Sequence, residues 1–180
     1  MNQTDTFENL IAATVMLAFS VPGFVLYALF ITVVLASSEL RSQSYYFLAA
    51  SMGIAECLIL LIFMFYAVPS TIMGRAYGGD LAAKAVPFVS VTSFAISLPI
   101  TCALAYNRYC CTCRRHLFNT AFSRNRVWLI VVISLGFGVF CGLAPLTCCP
   151  AGFFVEYYSF SWDTTTPGGA MGGYIELLLI

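Results

Sequence analysis

Charge is scarce in this chain. Asp, Glu, Lys and Arg make up 9% of it, hydrophobic residues make up 61%, and the mean hydropathy is +0.90. Soluble domains carry about 25% charged residues. The shortfall excludes a water-soluble fold and points to an integral membrane protein, with the lipid bilayer as its first partner. Histidine occurs once, so a zinc site is not expected, and neither is any other metal or cofactor. No nucleophile–base pair or phosphate-binding loop is present, which argues against an enzyme. No long acidic or basic run invites nucleic acid. A secretory signal is missing as well: Met1 to Glu8 carries no basic segment, and the first apolar stretch is too long for a cleaved leader.

What the chain has instead is long apolar runs. Four are long enough to span, at about 10–36, 45–73, 84–111 and 127–149, since about 20 residues cross a bilayer. A fifth begins at about 174 and stops at Ile180, so the chain is expected to end mid-helix, as a truncated product would. Proline removes a backbone donor and clashes with the preceding turn. Pro22-Gly23 is therefore expected to bend the first run, and Pro99 to interrupt the third. Ser37 to Ser44 reads as a short loop and 112–126 as a basic one. Between 150 and 173, Tyr157, Tyr158, Phe160 and Trp162 favour the headgroup level.

Loop cations set the orientation. With the N-terminus outside, Arg41, Arg108, Arg114, Arg115, Arg124 and Arg126 lie inside, against Arg75 and Lys84 outside. That satisfies the positive-inside rule and the reverse violates it. The expected fold is an all-α membrane protein, an antiparallel helix bundle of four spans with a fifth begun. An outside N-terminus makes Asn2, in Asn2-Gln3-Thr4, a candidate glycosylation site. Cys57, Cys102 and Cys141 sit inside apolar runs as small hydrophobes. Cys110, Cys111 and Cys113 lie at the inner membrane edge as candidate palmitoylation sites. The pairing of Cys148 or Cys149 stays open.

Two ionisable residues stand out against this apolar background. Arg108 ends a run that carries no charge after Lys84, and Glu56 lies within the second run. Such groups are costly in hydrocarbon, so they pair, snorkel or face a polar cavity. Stepping back from Arg108 by helical spacing gives Leu104, Thr101, Ser97, Phe94 and Ser90, one stripe with hydroxyls and a ring. Glu56 and Ser97 each lie about 16 Å from the inner face at 1.5 Å per residue, so the two should meet. The alternative for each hydroxyl is a bond to its own helix or to a neighbour. For Glu56 the alternative is a protonated acid bonded to a hydroxyl.

Ala105-Tyr106-Asn107-Arg108-Tyr109 resembles the Asp/Glu-Arg-Tyr signature that ends the third helix of rhodopsin-like G-protein-coupled receptors. The Asn-Arg-Tyr-Cys variant, with Phe122-Ser123 near the end of the following loop, resembles nematode serpentine chemoreceptors of the Srx type. Met52-Gly53-Ile54-Ala55-Glu56 is similar to their second-helix motif. The resemblance implies the first half of a seven-helix receptor, coupled to a heterotrimeric G protein and taking a small-molecule or peptide ligand. Its expected place is the plasma membrane, sensory cilia included. Asn107, Arg108 and Tyr109 would form the coupling switch, with Tyr109 supporting Arg108. Glu56 and Ser97 would line the intramembrane polar pocket, and Ser90 and Phe94 would face the ligand.

Departures from the pattern carry expectations of their own. Asn107 stands where an acid is usual, so Arg108 would be held by an amide, less strongly than by a charge-assisted pair. Ala82-Ala83-Lys84-Ala85 lacks the cysteine that many receptors bridge to the second outer loop. A four-span scaffold of tetraspanin or claudin type is the alternative. Its cysteine and tryptophan patterns do not match the loops here. A transporter that moves protons through Glu56 is a further one, although no broken pair of spans suggests inverted repeats.

Overall fold

In a computed structural model the described residues are 3–75, 77–147, 151–154 and 158–163. Asn2, Cys148, Cys149 and the run from about 174 lie outside them. Among the described residues four helices are long and apolar enough to cross a membrane: Thr6–Ala36, Ser44–Met73, Leu81–Cys113 and Arg124–Thr147.

The first span belongs to α1 (Gln3–Ala36), which continues through Pro22. A single turn, α2 (Ser38–Ser42), occupies the expected loop, and Ser37 caps it by accepting from the Leu40 N–H. The second span is built from α3 (Ser44–Ile62), a widened π turn (Phe63–Ala67) and α4 (Val68–Met73). Pro69 explains the turn. A proline ring clashes with the carbonyl four residues back, and widening the helix just before it relieves that clash. Accordingly the Val68 N–H reaches the Phe63 carbonyl, five residues back. Gly74 then ends α4 at φ 63°.

The third span, α5 (Gly79–Cys113), corrects an expectation: it runs through both Pro87 and Pro99 without interruption. Within membrane helices, hydroxyls and neighbouring helices re-satisfy the backbone near a proline. Beside Pro99 the Ser97 and Thr101 hydroxyls lean on carbonyls of their own helix, those of Ser93 and Ser97, at 3.2 and 2.8 Å; the carbonyl that Pro99 leaves without its usual donor is that of Ala95. The basic loop folds into α6 (Arg115–Ala121), and the fourth span is α7 (Arg124–Gly142) with α8 (Ala144–Thr147).

Within the bundle, burial concentrates in the seams between helices. Phe19, Leu26 and Phe140 are 78%, 67% and 75% exposed, which suits side chains whose solvent is lipid rather than water. Calling the Ser44 and Cys113 end of the bundle inner, as the loop cations lead one to expect, the inner-half core joins Leu48 and Ala55 of α3, Ile96, Ile100 and Cys110 of α5, Phe122, and Val127 and Val131 of α7. The α5–α7 seam is closed by small residues. A Cβ at Gly138 would stand 2.8 Å from the Thr92 carbonyl oxygen, and one at Gly142 would stand 3.1 Å from the Phe88 carbonyl oxygen. Four residues apart, the two glycines share one face and let the backbones approach.

The polar-aromatic segment holds an antiparallel hairpin, β1 (Ala151–Phe154) with β2 (Ser159–Trp162), which pairs Phe153 with Phe160. Phe153 is buried with Tyr66 and Ala67, and Phe63 and Phe160 pack around them. Tyr158, at φ 51°, donates through its hydroxyl to Asn9 Oδ1 at 2.8 Å. The hairpin is thus held on α1 and on the π turn by rings and one hydrogen bond.

Candidate functional site at the inner end of the third span

The two polar features expected from the sequence occur at two levels of the α3–α5 seam. Midway along it, Ser97 donates to Glu56 Oε1 at 2.9 Å. Ser97 is 7% exposed, so the bond lies inside the seam. One turn nearer the inner face, Thr101 approaches the Met52 sulfur at 3.6 Å.

The stripe through Ser90 does not stay together. Successive members of such a stripe differ by about 40–60° around the axis. Ser97 consequently turns into α3, while Phe94 is 55% exposed. The hydroxyls of Ser90 and Thr92 are buried without a partner among the described residues. Phe94 therefore does not turn into the seam with Ser97.

At the inner end the arrangement differs from the one expected. Asn107 is 3% exposed and donates through Nδ2 to Ser44 Oγ at 3.0 Å. It reaches across to α3 instead of holding its neighbour. Arg108 is exposed, and its guanidinium carbon stands 4.1 Å from the centroid of the Tyr45 ring. Tyr109 does not support Arg108. Its ring stacks on Tyr106, with centroids 6.4 Å apart and planes 24° apart, and Tyr106 in turn meets Phe122 at 5.8 Å.

The cysteine cluster divides. Cys110 is 0% exposed, in the core with Phe122 and Val127, so an acyl chain has no access to it. Cys111 and Cys113 are exposed. The CxxC spacing of Cys110 and Cys113 thus points one thiol inward and one outward. Among the described residues no three His, Cys, Asp or Glu side chains gather to hold a metal ion. Cys102 is exposed, and Cys57 and Cys141 are only half-buried, so the apolar runs do not enclose their cysteines. Arg114, Arg115, Arg124 and Arg126 are all exposed.

Ser44 and Tyr45 are the residues that reasoning from sequence missed. The signal was present: the level argument that pairs Glu56 with Ser97 also pairs Tyr45 with Arg108, eleven residues further inward on each helix.

An arginine at the inner end of a long membrane helix, beside a buried asparagine and one helix away from a bonded glutamate, is a pattern that a family comparison can test. The family model described as serpentine type 7TM GPCR chemoreceptor Srx matches residues 17–180. The chain belongs to the Srx family of serpentine chemoreceptors. No curated protein matches it. As an Srx chain it is an integral membrane protein and a chemosensory receptor of the G-protein-coupled type, from a receptor family and not an enzyme family. Its four apolar helices form the all-α bundle that the sequence led one to expect.

Proposed function

We propose that this Srx receptor senses a small molecule or peptide from the outer side and passes the signal to a heterotrimeric G protein through the inner end of α5. The N-terminus lies outside in this reading, and the receptor works at the plasma membrane, including that of sensory cilia. The observation that carries it is the state of Arg108: exposed at the end of a membrane helix and resting on a ring. A permanent charge in that place suits a polar partner arriving from the cytoplasm. Asn107 marks its level, and Tyr109 and Tyr106 present a second exposed surface beside it.

Glu56 and Ser97 serve as the coupling point midway between the ligand and Arg108. Their bond joins the two helices whose inner ends hold the switch. The ligand is taken by the outer halves of the helices, near Ser90 and Phe94. Without an acid beside it, Arg108 lacks an ion pair in its own helix, which favours basal activity. The exposed Arg114, Arg115, Arg124 and Arg126 add attraction for anionic lipid or for the G protein.

Arg108→Ala tests the reading. In membranes carrying the receptor and an added heterotrimeric G protein, guanine-nucleotide exchange above the receptor-free background should fall to that background. Exchange that survives the substitution, at equal surface level, would sink it. An epitope tag at the N-terminus should be accessible on intact cells, and an inaccessible tag would reverse the topology.

A further inference from the structure

The inner ends of α3 and α5 meet through two adjacent pairs. Asn107 bonds Ser44 at 3.0 Å, and Arg108 lies over Tyr45 at 4.1 Å. The first contact is directional and part-buried, with Asn107 itself buried, so it sets the register of α5 against α3. With the register set, the exposed guanidinium of the next residue meets an aromatic face. Arg108 can reach that face because Tyr45 opens the second span at the level where the third span ends.

We propose that Tyr45 is the positioning residue that restrains Arg108 in the resting receptor, in place of the acid that Asn107 does not supply. The inference rests on the reading of Arg108 as the G-protein contact.

A ring restrains an arginine differently from a carboxylate. Its attraction comes from the quadrupole of the π face, which is weaker at an exposed site than a bidentate ion pair. A planar guanidinium can also slide across the face before it leaves. Ser44 and Tyr45 thus divide the task. The serine fixes where α5 ends, and the tyrosine holds the head of Arg108 loosely enough for a partner to take it. Activation on this account moves Arg108 off the ring.

The test measures ligand-independent nucleotide exchange on an added heterotrimeric G protein, in membranes carrying the full receptor chain at matched surface level. Tyr45→Phe and Tyr45→Trp keep a ring and should match the wild type. Tyr45→Leu should raise basal exchange about two- to fivefold. A leucine variant at the wild-type rate overturns the proposal, and so does a phenylalanine variant raised as far as the leucine one.

A second measurement does not depend on signalling or on the stability of the leucine variant. Ser44→Cys combined with Asn107→Cys, in a background carrying Cys111→Ser and Cys113→Ser, should form a reducible cross-link under mild oxidant. The cross-linked receptor should be silent, and reduction should restore its exchange. Absence of the cross-link overturns the register on which the restraint depends. Arg108→Ala separates the two readings. If it leaves exchange unchanged, the G-protein role falls and takes the proposed regulation with it, while the cross-link still decides the contact.

Discussion

Replacing Gly138 with alanine adds one methyl where the α5–α7 seam has no room. The new Cβ would stand 2.8 Å from the Thr92 carbonyl oxygen and 3.1 Å from Ile96 Cδ1, with Ile96 Cγ1 closer still. The isoleucine can rotate away, but the carbonyl belongs to the backbone of α5 and cannot. Relief therefore requires the two helices to separate, and overpacking of this kind costs about 1–3 kcal/mol. Gly136 supplies the control, because a Cβ there meets nothing within 4 Å. Both substitutions bring the same helix-propensity gain of about 1 kcal/mol, so their difference isolates the clash. In a chain of this size about 1 kcal/mol shifts the melting midpoint by about 2–4 °C. Gly138→Ala should then melt about 2–12 °C below Gly136→Ala. A thiol-reactive fluorogenic dye reads the midpoint in detergent once the exposed Cys102, Cys111 and Cys113 have been blocked, since buried Cys110 becomes reactive as the seam opens. Equal midpoints for the two variants would refute the account of the seam.

The Glu56–Ser97 bond should appear as coupling between Glu56→Ala and Ser97→Ala. The double variant should be less destabilised than the sum of the singles by about 0.5–1.5 kcal/mol, and strict additivity would contradict the bond. At the outer end, Phe153→Ala should release the hairpin from Tyr66. Added protease should then cut between α8 and β2 on intact cells while the midpoint of the bundle stays put; resistance equal to wild type would show that the ring cluster is not the anchor. Maleimide applied to permeabilised cells should label Cys111 and Cys113 but leave Cys110 unreacted until the receptor is denatured, and prompt labelling of Cys110 would contradict its burial.

How far the sequence reveals this molecule depends on the range of the cause. Span lengths follow from the scarcity of charge over long runs, and the Glu56–Ser97 meeting follows from counting along two antiparallel helices. Both need only distances along the chain. The same counting places Tyr45 opposite Arg108, whereas adjacency in sequence points to Asn107, whose amide goes to Ser44 instead. The fate of Cys110 depends on which face of α5 meets Phe122 and Val127, a matter of rotation that spacing alone leaves open. Composition placed the aromatic residues after 150 at the headgroup level, but pairing of Phe153 with Phe160 arises between strands and has no local signature. Pro99 misled for a related reason. The rule that proline breaks a helix is drawn from water-exposed helices, and α5 runs through Pro99 in a packed seam where neighbouring helices offset the lost bond.

The widened turn at Phe63–Ala67 has a consequence for descent as well as for shape. A turn with one residue more than its neighbours acts as a single-residue insertion held inside a helix. Val68 to Met73 therefore stand one position out of phase with Ser44 to Ile62, a rotation of about 100°. Against a second helix without such a turn, the gap would fall within 63–67 and not in the loop that follows. On the proposed reading, such a joint would let the outer third of the helix change the face it turns to a ligand, while the inner part keeps Glu56 and Tyr45 beside α5. Detection could then vary without retuning the resting contact.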